Sequence, residues 1–351
     1  MIPFKDEMQQ QPDALRRLVA TTLRDVSLRS RLTRLKNDKR IDRVIFTGMG
    51  SSLYAGYIPT NYLRAAGMNA IAVESAELLA LGDNMFTPQT LVVAVSQSGE
   101  SPEVLKLVGR LPGRENLVAV TNYPASRLHA MSDLTLDLCA GVEYRTSTKT
   151  YTNTLAAMQY LAAVLAGDDD TAIAGLLNRQ AVCADLMEQL LPNPQLAREI
   201  AAFIDGIEFL PCVGAGYSYT TVSHCEIVLE ETTGFYASRF TPSQFIHGPI
   251  ELIHDRFGVV LFDFDPAAHS VCDHVAASVL QYGGKVLTIT HRTDIAPRSR
   301  LHVVTIAHND PFTAPLVEVI PIELAVDTLC TARGKPTGQL SRVIKRVATG
   351  T

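Results

Sequence analysis

Short apolar, β-rich runs that stop at glycine or serine and give way to helical periodicity recur along this 351-residue chain. Arg43-Val44-Ile45-Phe46-Thr47 runs into Gly48-Met49-Gly50-Ser51-Ser52. Leu91-Val92-Val93-Ala94-Val95 runs into Ser96-Gln97-Ser98-Gly99-Glu100-Ser101, after which Glu103, Val104, Leu105, Leu107 and Val108 keep helical spacing. Asn116-Leu117-Val118-Ala119-Val120-Thr121 reads as a third strand, and Asp133-Leu134-Thr135-Leu136-Asp137-Leu138 alternates as a fourth. Strand, small-residue turn and helix in repeated order is the pattern of a parallel α/β sheet.

Residues 155–165 then read as a buried helix, and Gly167-Asp168-Asp169-Asp170 breaks the pattern. A helical stretch over 171–191 ends at Pro192-Asn193-Pro194, where a domain connection is expected. The order restarts with Phe209-Leu210-Pro211-Cys212-Val213 and the turn Gly214-Ala215-Gly216-Tyr217-Ser218. Strands at 259–262, 286–289 and 303–306 and a helix over 315–332 complete a second, weakly similar half. The basic tail 333–351 carries little core.

Composition narrows the partners. Hydrophobic residues make up 47% of the chain and charged residues 19%, and 36 acidic against 31 basic residues leave a net charge of −5. No basic stripe suits nucleic acid or an anionic membrane. No run reaches the ~18–20 apolar residues of a membrane span. The opening Met1-Ile2-Pro3-Phe4-Lys5-Asp6-Glu7 lacks the layout of a signal peptide, so a cytoplasmic location is expected. The six cysteines form no CxxC pair and are expected as buried reduced thiols. The nine histidines show no HExxH or HxH spacing, so no metal site is expected.

The turn Ser96-Gln97-Ser98-Gly99-Glu100-Ser101 is dense in hydroxyls at the carboxyl end of a predicted strand. Backbone N–H groups and side-chain donors gathered there suit one anion, such as the phosphate of a sugar phosphate. Gly50-Ser51-Ser52 and Ser147-Thr148 offer further donors. Taken alone, the same serines would serve equally well as helix N-caps.

Together with Val73-Glu74-Ser75-Ala76-Glu77 and Ser147-Thr148-Lys149, these segments resemble the sugar isomerase (SIS) domain family, whose S-Q-S-G-E-S/T loop holds a phosphosugar phosphate. The resemblance implies phosphate-binding roles for Ser51, Ser52, Ser96, Gln97, Ser98, Ser101 and Ser147. It continues through Leu229-Glu230-Glu231-Thr232-Thr233-Gly234 and Phe245-Ile246-His247-Gly248-Pro249, which are similar to K-E-S/T and F-x-H-G-P motifs. The whole is similar to the isomerase half of the glucosamine-6-phosphate synthases and to the amino-sugar phosphate deaminases and fructosamine-6-phosphate deglycases. The implied fold is α/β with two SIS domains, each a parallel sheet flanked by helices in a flavodoxin-like three-layer arrangement. The expected divisions are a linker-like helical segment at 1–40, a first SIS domain at 41–168, a connecting helix at 169–200, a second SIS domain at 201–332, and a tail at 333–351 that closes the active site. Asp6-Glu7-Met8-Gln9-Gln10-Gln11-Pro12-Asp13-Ala14-Leu15 resembles the linker that follows the synthases' glutaminase domain. Glutamine-dependent synthesis is therefore not expected of this chain alone.

The resemblance also implies catalytic roles. Glu231 matches the family's proton-abstracting glutamate, with Glu230 as the rival register, and His247 matches a ring-opening histidine contributed by the other subunit of a homodimer. Moving a proton beside a carbonyl or imine carbon needs such a pair. Lys345 matches a C-terminal lysine that forms a Schiff base with the open-chain ketose, and Arg342 occupies that site in an alternative register. Two positions depart from the synthase pattern: Val228 stands where an active-site lysine is carried, and His224 where a glutamate is. With that charge lost and Glu231 and His247 retained, the expectation tilts toward deglycase or deaminase chemistry on a 6-phosphorylated fructosamine or amino sugar, without metal or redox cofactor. The alternatives are an aldose–ketose sugar-phosphate isomerase and a non-catalytic phosphosugar sensor. A dinucleotide-binding oxidoreductase is disfavoured because neither glycine turn completes G-x-G-x-x-G.

Overall fold

The computed structural model describes residues 3–38 and 40–339. They divide into two compact units, one of Gln10–Ala184 and the other of 3–9 with 185–339. The division falls inside the helix Asp170–Leu190.

The first unit is built on five parallel strands: β1 (Arg43–Gly48), β2 (Asn69–Glu74), β3 (Thr90–Val95), β4 (Leu117–Thr121) and β5 (Leu134–Asp137), in the order β2-β1-β3-β4-β5. Every residue of β3 and β4 is buried. Helices on both faces hide such strands from water, which is why they read as unbroken apolar runs rather than alternating ones. β2 escapes a reading by eye because it sits at the sheet edge, half-buried, between Asn69 and Glu74. The helix Lys149–Ala166 is buried through all but its last residue, against the helices Gln11–Ala20 and Tyr57–Ala65. Two of its buried polar side chains reach the rest of the unit: Asn153 Nδ2 donates to the carbonyls of Ala14 (2.9 Å) and Leu138 (2.7 Å), and Thr152 Oγ1 to Gln11 Oε1 (2.6 Å).

The second unit repeats the plan with β6 (Cys212–Gly214), β7 (Arg239–Phe240), β8 (Gly258–Asp263), β9 (Lys285–Thr290) and β10 (Leu301–Thr305), in the order β10-β9-β8-β6-β7. Counted within each unit, both sheets have the order 2-1-3-4-5, all parallel. One core gathers Val213, Phe245, Phe257, Val259, Leu261, Val275 and Val286. The helix Phe4–Gln9 packs on Ile320–Ala332 in this unit. All six cysteines are free thiols, five of them buried. Among the described residues no helix is long and apolar enough to cross a membrane.

Candidate functional site

In an order of 2-1-3-4-5 the chain moves one way from the first strand to the second and the other way to the third. Loops leaving the carboxyl ends of the first and third strands therefore diverge and leave a crevice. In the first unit these are the loops after β1 and β3, which hold the predicted serines. Gly48 ends β1, and a Cβ there would meet the Val95 carbonyl at 2.8 Å, so glycine permits the close approach of the two strand ends. Gly50 turns the chain at φ +51° into the short helix Ser51–Tyr54, which starts with the half-buried Ser51 and Ser52.

The 96–101 loop is folded on itself. Ser96 is 2% exposed, and its hydroxyl shares a 2.9 Å hydrogen bond with that of Ser101. Gly99 sits at φ +65° and donates its N–H to the Ser96 carbonyl (3.0 Å), and the Glu100 N–H donates to Ser98 Oγ (3.2 Å). Ser101 stands at the N-cap of the helix Pro102–Val108 but makes no side-chain cap. The capping account of these serines is therefore not realised at the position it favours most. Gln97 Nε2 and the Tyr123 hydroxyl are both buried, and neither completes a hydrogen bond of normal geometry. Burial raises the Tyr123 pKa, while the neighbouring Asn122 and Gln97 side chains temper the rise. A buried donor such as the Gln97 amide invites an external acceptor.

Ser147 is placed differently. The segment after β5 returns across the end of β4, where the Ala140 N–H donates to Asn122 Oδ1 (2.8 Å) and Asn122 Nδ2 to the Gly141 carbonyl (2.7 Å). Ser147 is half-buried just before the helix Lys149–Ala166. The buried Glu143 already caps that helix. Its Oε1 accepts from the N–H groups of Thr148 (2.9 Å) and Thr150 (3.3 Å) and from Thr148 Oγ1 (3.0 Å), and its Oε2 from Thr150 Oγ1. An anion at Ser147 would draw on that residue's own groups and not on the helix end.

The corresponding loop of the second unit, after β8, is acidic. Asp263 is 1% exposed and binds His269 Nδ1 (2.7 Å) and Arg292 Nη1 (3.0 Å). Asp265 accepts from the Ala267 N–H (3.0 Å), and its Oδ2 lies 2.4 Å from where a Cβ on Gly216 would be. Carboxylates occupy the place that hydroxyls hold in the first unit, so the two halves differ in charge at the same point of the plan.

Glu231 lies half-buried in the last turn of the helix Ser218–Thr233. That helix ends on Gly234 at φ +73°, whose N–H returns to the carbonyls of Leu229 and Glu230, both at 3.2 Å. The Glu230 pKa is raised by burial and by the Glu226 and Glu231 charges, and Arg239 opposes the rise. His247 is exposed just past the helix Pro242–Ile246, while Phe245 is fully buried in the core, so the F-x-H spacing anchors one ring and projects the other. The turn is fixed by a capping box between Thr241 and Gln244 and by Gly248 at φ +147°. Val228 and His224 are both fully buried. A lysine at 228 would have to bury its ammonium group, so valine is the residue that this packing accepts. Lys345 and Arg342 lie outside the described residues.

Sequence reasoning passed over two carboxylates. Glu318 is fully buried where the helix Ser218–Thr233 begins, accepts from Ser218 Oγ (2.6 Å) and Thr221 Oγ1, and has its pKa raised to about 7 by burial. Glu100 lay within the quoted motif, and its partner Arg127 lay 27 residues away.

The SIS domain family matches residues 39–164. The isomerizing glutamine–fructose-6-phosphate aminotransferase of Thermococcus kodakarensis is 27% identical over 318 residues, 87% of this chain and 52% of the relative. That of Thermus thermophilus is 26% identical over 350 residues, 97% of this chain and 58% of the relative. The chain spans about half the length of the curated relatives it matches. Among solved structures, the C-terminal domain of glucosamine-fructose-6-phosphate aminotransferase from Francisella tularensis superposes with a TM-score of 0.85 at 20% identity, covering 97% of this chain and 99% of that one. Glucosamine-6-phosphate deaminase from Thermotoga maritima gives 0.67 at 17% identity, covering 93% and 98%.

Proposed function

We propose, for a chain whose residues 39–164 match the SIS domain family and whose two α/β units have the two-domain SIS fold, that it is an enzyme acting on a 6-phosphorylated sugar that carries nitrogen. The observation that carries the reading is the 96–101 loop. Its hydroxyls sit at the switch point of the first sheet and its N-cap serine makes no cap. In this reading Ser96, Gln97, Ser98 and Ser101, with Ser51, Ser52 and Ser147, hold the phosphate, while Glu231 and His247 carry the proton transfers.

Deglycase or deaminase chemistry fits better than a synthase-like isomerisation, because a buried Val228 replaces a charged group. For a 6-phosphorylated fructosamine, Glu231 removes a proton from C1 as the C2 carbonyl oxygen takes one up, and returns a proton to C2 as the nitrogen releases one, which turns the C1 amine and C2 ketone into a C1 imine and a C2 hydroxyl. Water then adds to C1, the C–N bond breaks, and glucose 6-phosphate and the free amine leave. His247 serves ring opening, and we assign it to the partner copy of a homodimer, in keeping with its exposure.

A panel of 6-phosphorylated fructosamines and hexosamines, scored for release of glucose 6-phosphate or ammonia, tests this. Interconversion of fructose 6-phosphate and glucose 6-phosphate with no C–N cleavage would select the isomerase instead. Binding of phosphosugars without turnover would select a sensor.

A further inference from the structure

We propose that Glu100 and Arg127 form a positioning pair that holds the 96–101 loop in its anion-accepting shape and cancels the one negative charge within it. The inference rests on the phosphate reading above. The Arg127 N–H donates to Glu100 Oε1 at 2.8 Å and Arg127 Nε to Glu100 Oε2 at 2.6 Å, so both carboxylate oxygens are engaged by one residue. This pair closes a longer seam. The end of β4 and the segment after it also donate, from the Asn122 N–H to the Gln97 carbonyl (3.0 Å), from Thr121 Oγ1 to the same carbonyl (3.4 Å), and from the Leu128 N–H to the Gly99 carbonyl (3.0 Å). At its middle the seam is tight enough that a Cβ on Gly99 would lie 2.1 Å from Ser126 Oγ.

The loop is thus moulded on its neighbour at Gln97, Gly99 and Glu100. The seam's other bonds go to the Gln97 and Gly99 carbonyls and do not depend on the side chain at 100, but the Glu100 carboxylate poses a separate problem. Standing between Gly99 and Ser101, it would repel a phosphate dianion unless its charge were matched. Arg127 supplies the match, and its partial exposure, 63% against 25% for Glu100, places the pair at the mouth of the loop and not in the core. An exposed ion pair adds little to stability. Its use lies in ordering the loop and in removing a like charge from an anion site.

Amide hydrogen exchange of the ligand-free protein, read over residues 97–101, and calorimetric titration with inorganic phosphate test this on the wild type, Arg127→Ala, Glu100→Gln and the double variant. Arg127→Ala is expected to speed exchange of the loop and weaken phosphate binding, each by roughly three- to tenfold, while exchange in β1, β3 and β4 stays unchanged. Adding Glu100→Gln to Arg127→Ala should restore much of the phosphate affinity without restoring loop protection, because it removes the unmatched charge but not the lost tether. Loop exchange equal to that of the wild type in Arg127→Ala overturns the positioning role. So does phosphate affinity that the second substitution fails to recover, for the charge-matching role. Faster loop exchange in a protein whose wild type binds no phosphate would instead overturn the phosphate reading, and with it the purpose assigned to the pair.

Discussion

Ser101 occupies the N-cap of the helix Pro102–Val108, yet its hydroxyl is bonded to Ser96 Oγ at 2.9 Å, five residues back, and not to the helix. The two ends of the loop are thereby pinned together. The N–H groups that a cap would have satisfied are left to another acceptor, which under the proposed function is the phosphate of the substrate.

Ser98→Ala should raise the KM for a phosphosugar by about tenfold with little change in kcat, since a hydrogen bond to a charged group is lost from binding and not from the chemical step. Steady-state kinetics on whichever panel substrate turns over checks this. An equal fall in kcat would move Ser98 into the chemistry.

Gly99→Ala should destabilise the first unit by more than about 1 kcal/mol, because φ is +65° and Ser126 fills the space a methyl would need. Denaturant unfolding measures it. Gly99→Ala with Ser126→Gly removes the closest contact but leaves Thr121 Oγ1 at 2.9 Å and the strained backbone, and should recover part of the loss.

Glu318 predicts a pH dependence of stability. Its folded-state pKa is raised from 4.5 to about 7, so the native state keeps a proton that the unfolded chain releases. The stability from that proton is complete below about pH 4.5 and is lost as pH rises to about 7. Relative to Glu318→Gln, the wild type should therefore weaken across that window by about 2 to 3 kcal/mol. Unfolding midpoints of both proteins at pH 5 and pH 8 check it, and a constant difference would contradict it.

Sharing of His247 between copies has its own test. Mixing inactive Glu231→Gln with inactive His247→Ala under conditions of subunit exchange should restore about a quarter of wild-type activity, because each mixed dimer regains one intact site. No recovery would place both groups in one chain.

The buried runs of β3 and β4 and the hydroxyl turn between β3 and its helix were legible because each is a local pattern. β7 was not, being two residues long, Arg239–Phe240. The two-unit plan showed in the recurrence of strand and glycine turn, but the acidic character of the loop after β8 counts only once the topology equates Asp263 with the Ser96 position. The Glu100 partner and the Glu318 partner Ser218, 100 residues apart, come from tertiary folding and leave no mark on local spacing. Val228 stood out as a departure, and its reason, full burial, needed the fold.

The most direct test of the central claim is an assay of the purified protein on glucosamine 6-phosphate and on a 6-phosphorylated fructosamine, with ammonia or glucose 6-phosphate followed over time and Glu231→Gln run beside it. The account predicts C–N cleavage of at least one substrate by the wild type and a loss of roughly a hundredfold or more in the variant, with its unfolding midpoint unchanged. No turnover of either substrate, or turnover that Glu231→Gln leaves intact, would contradict it.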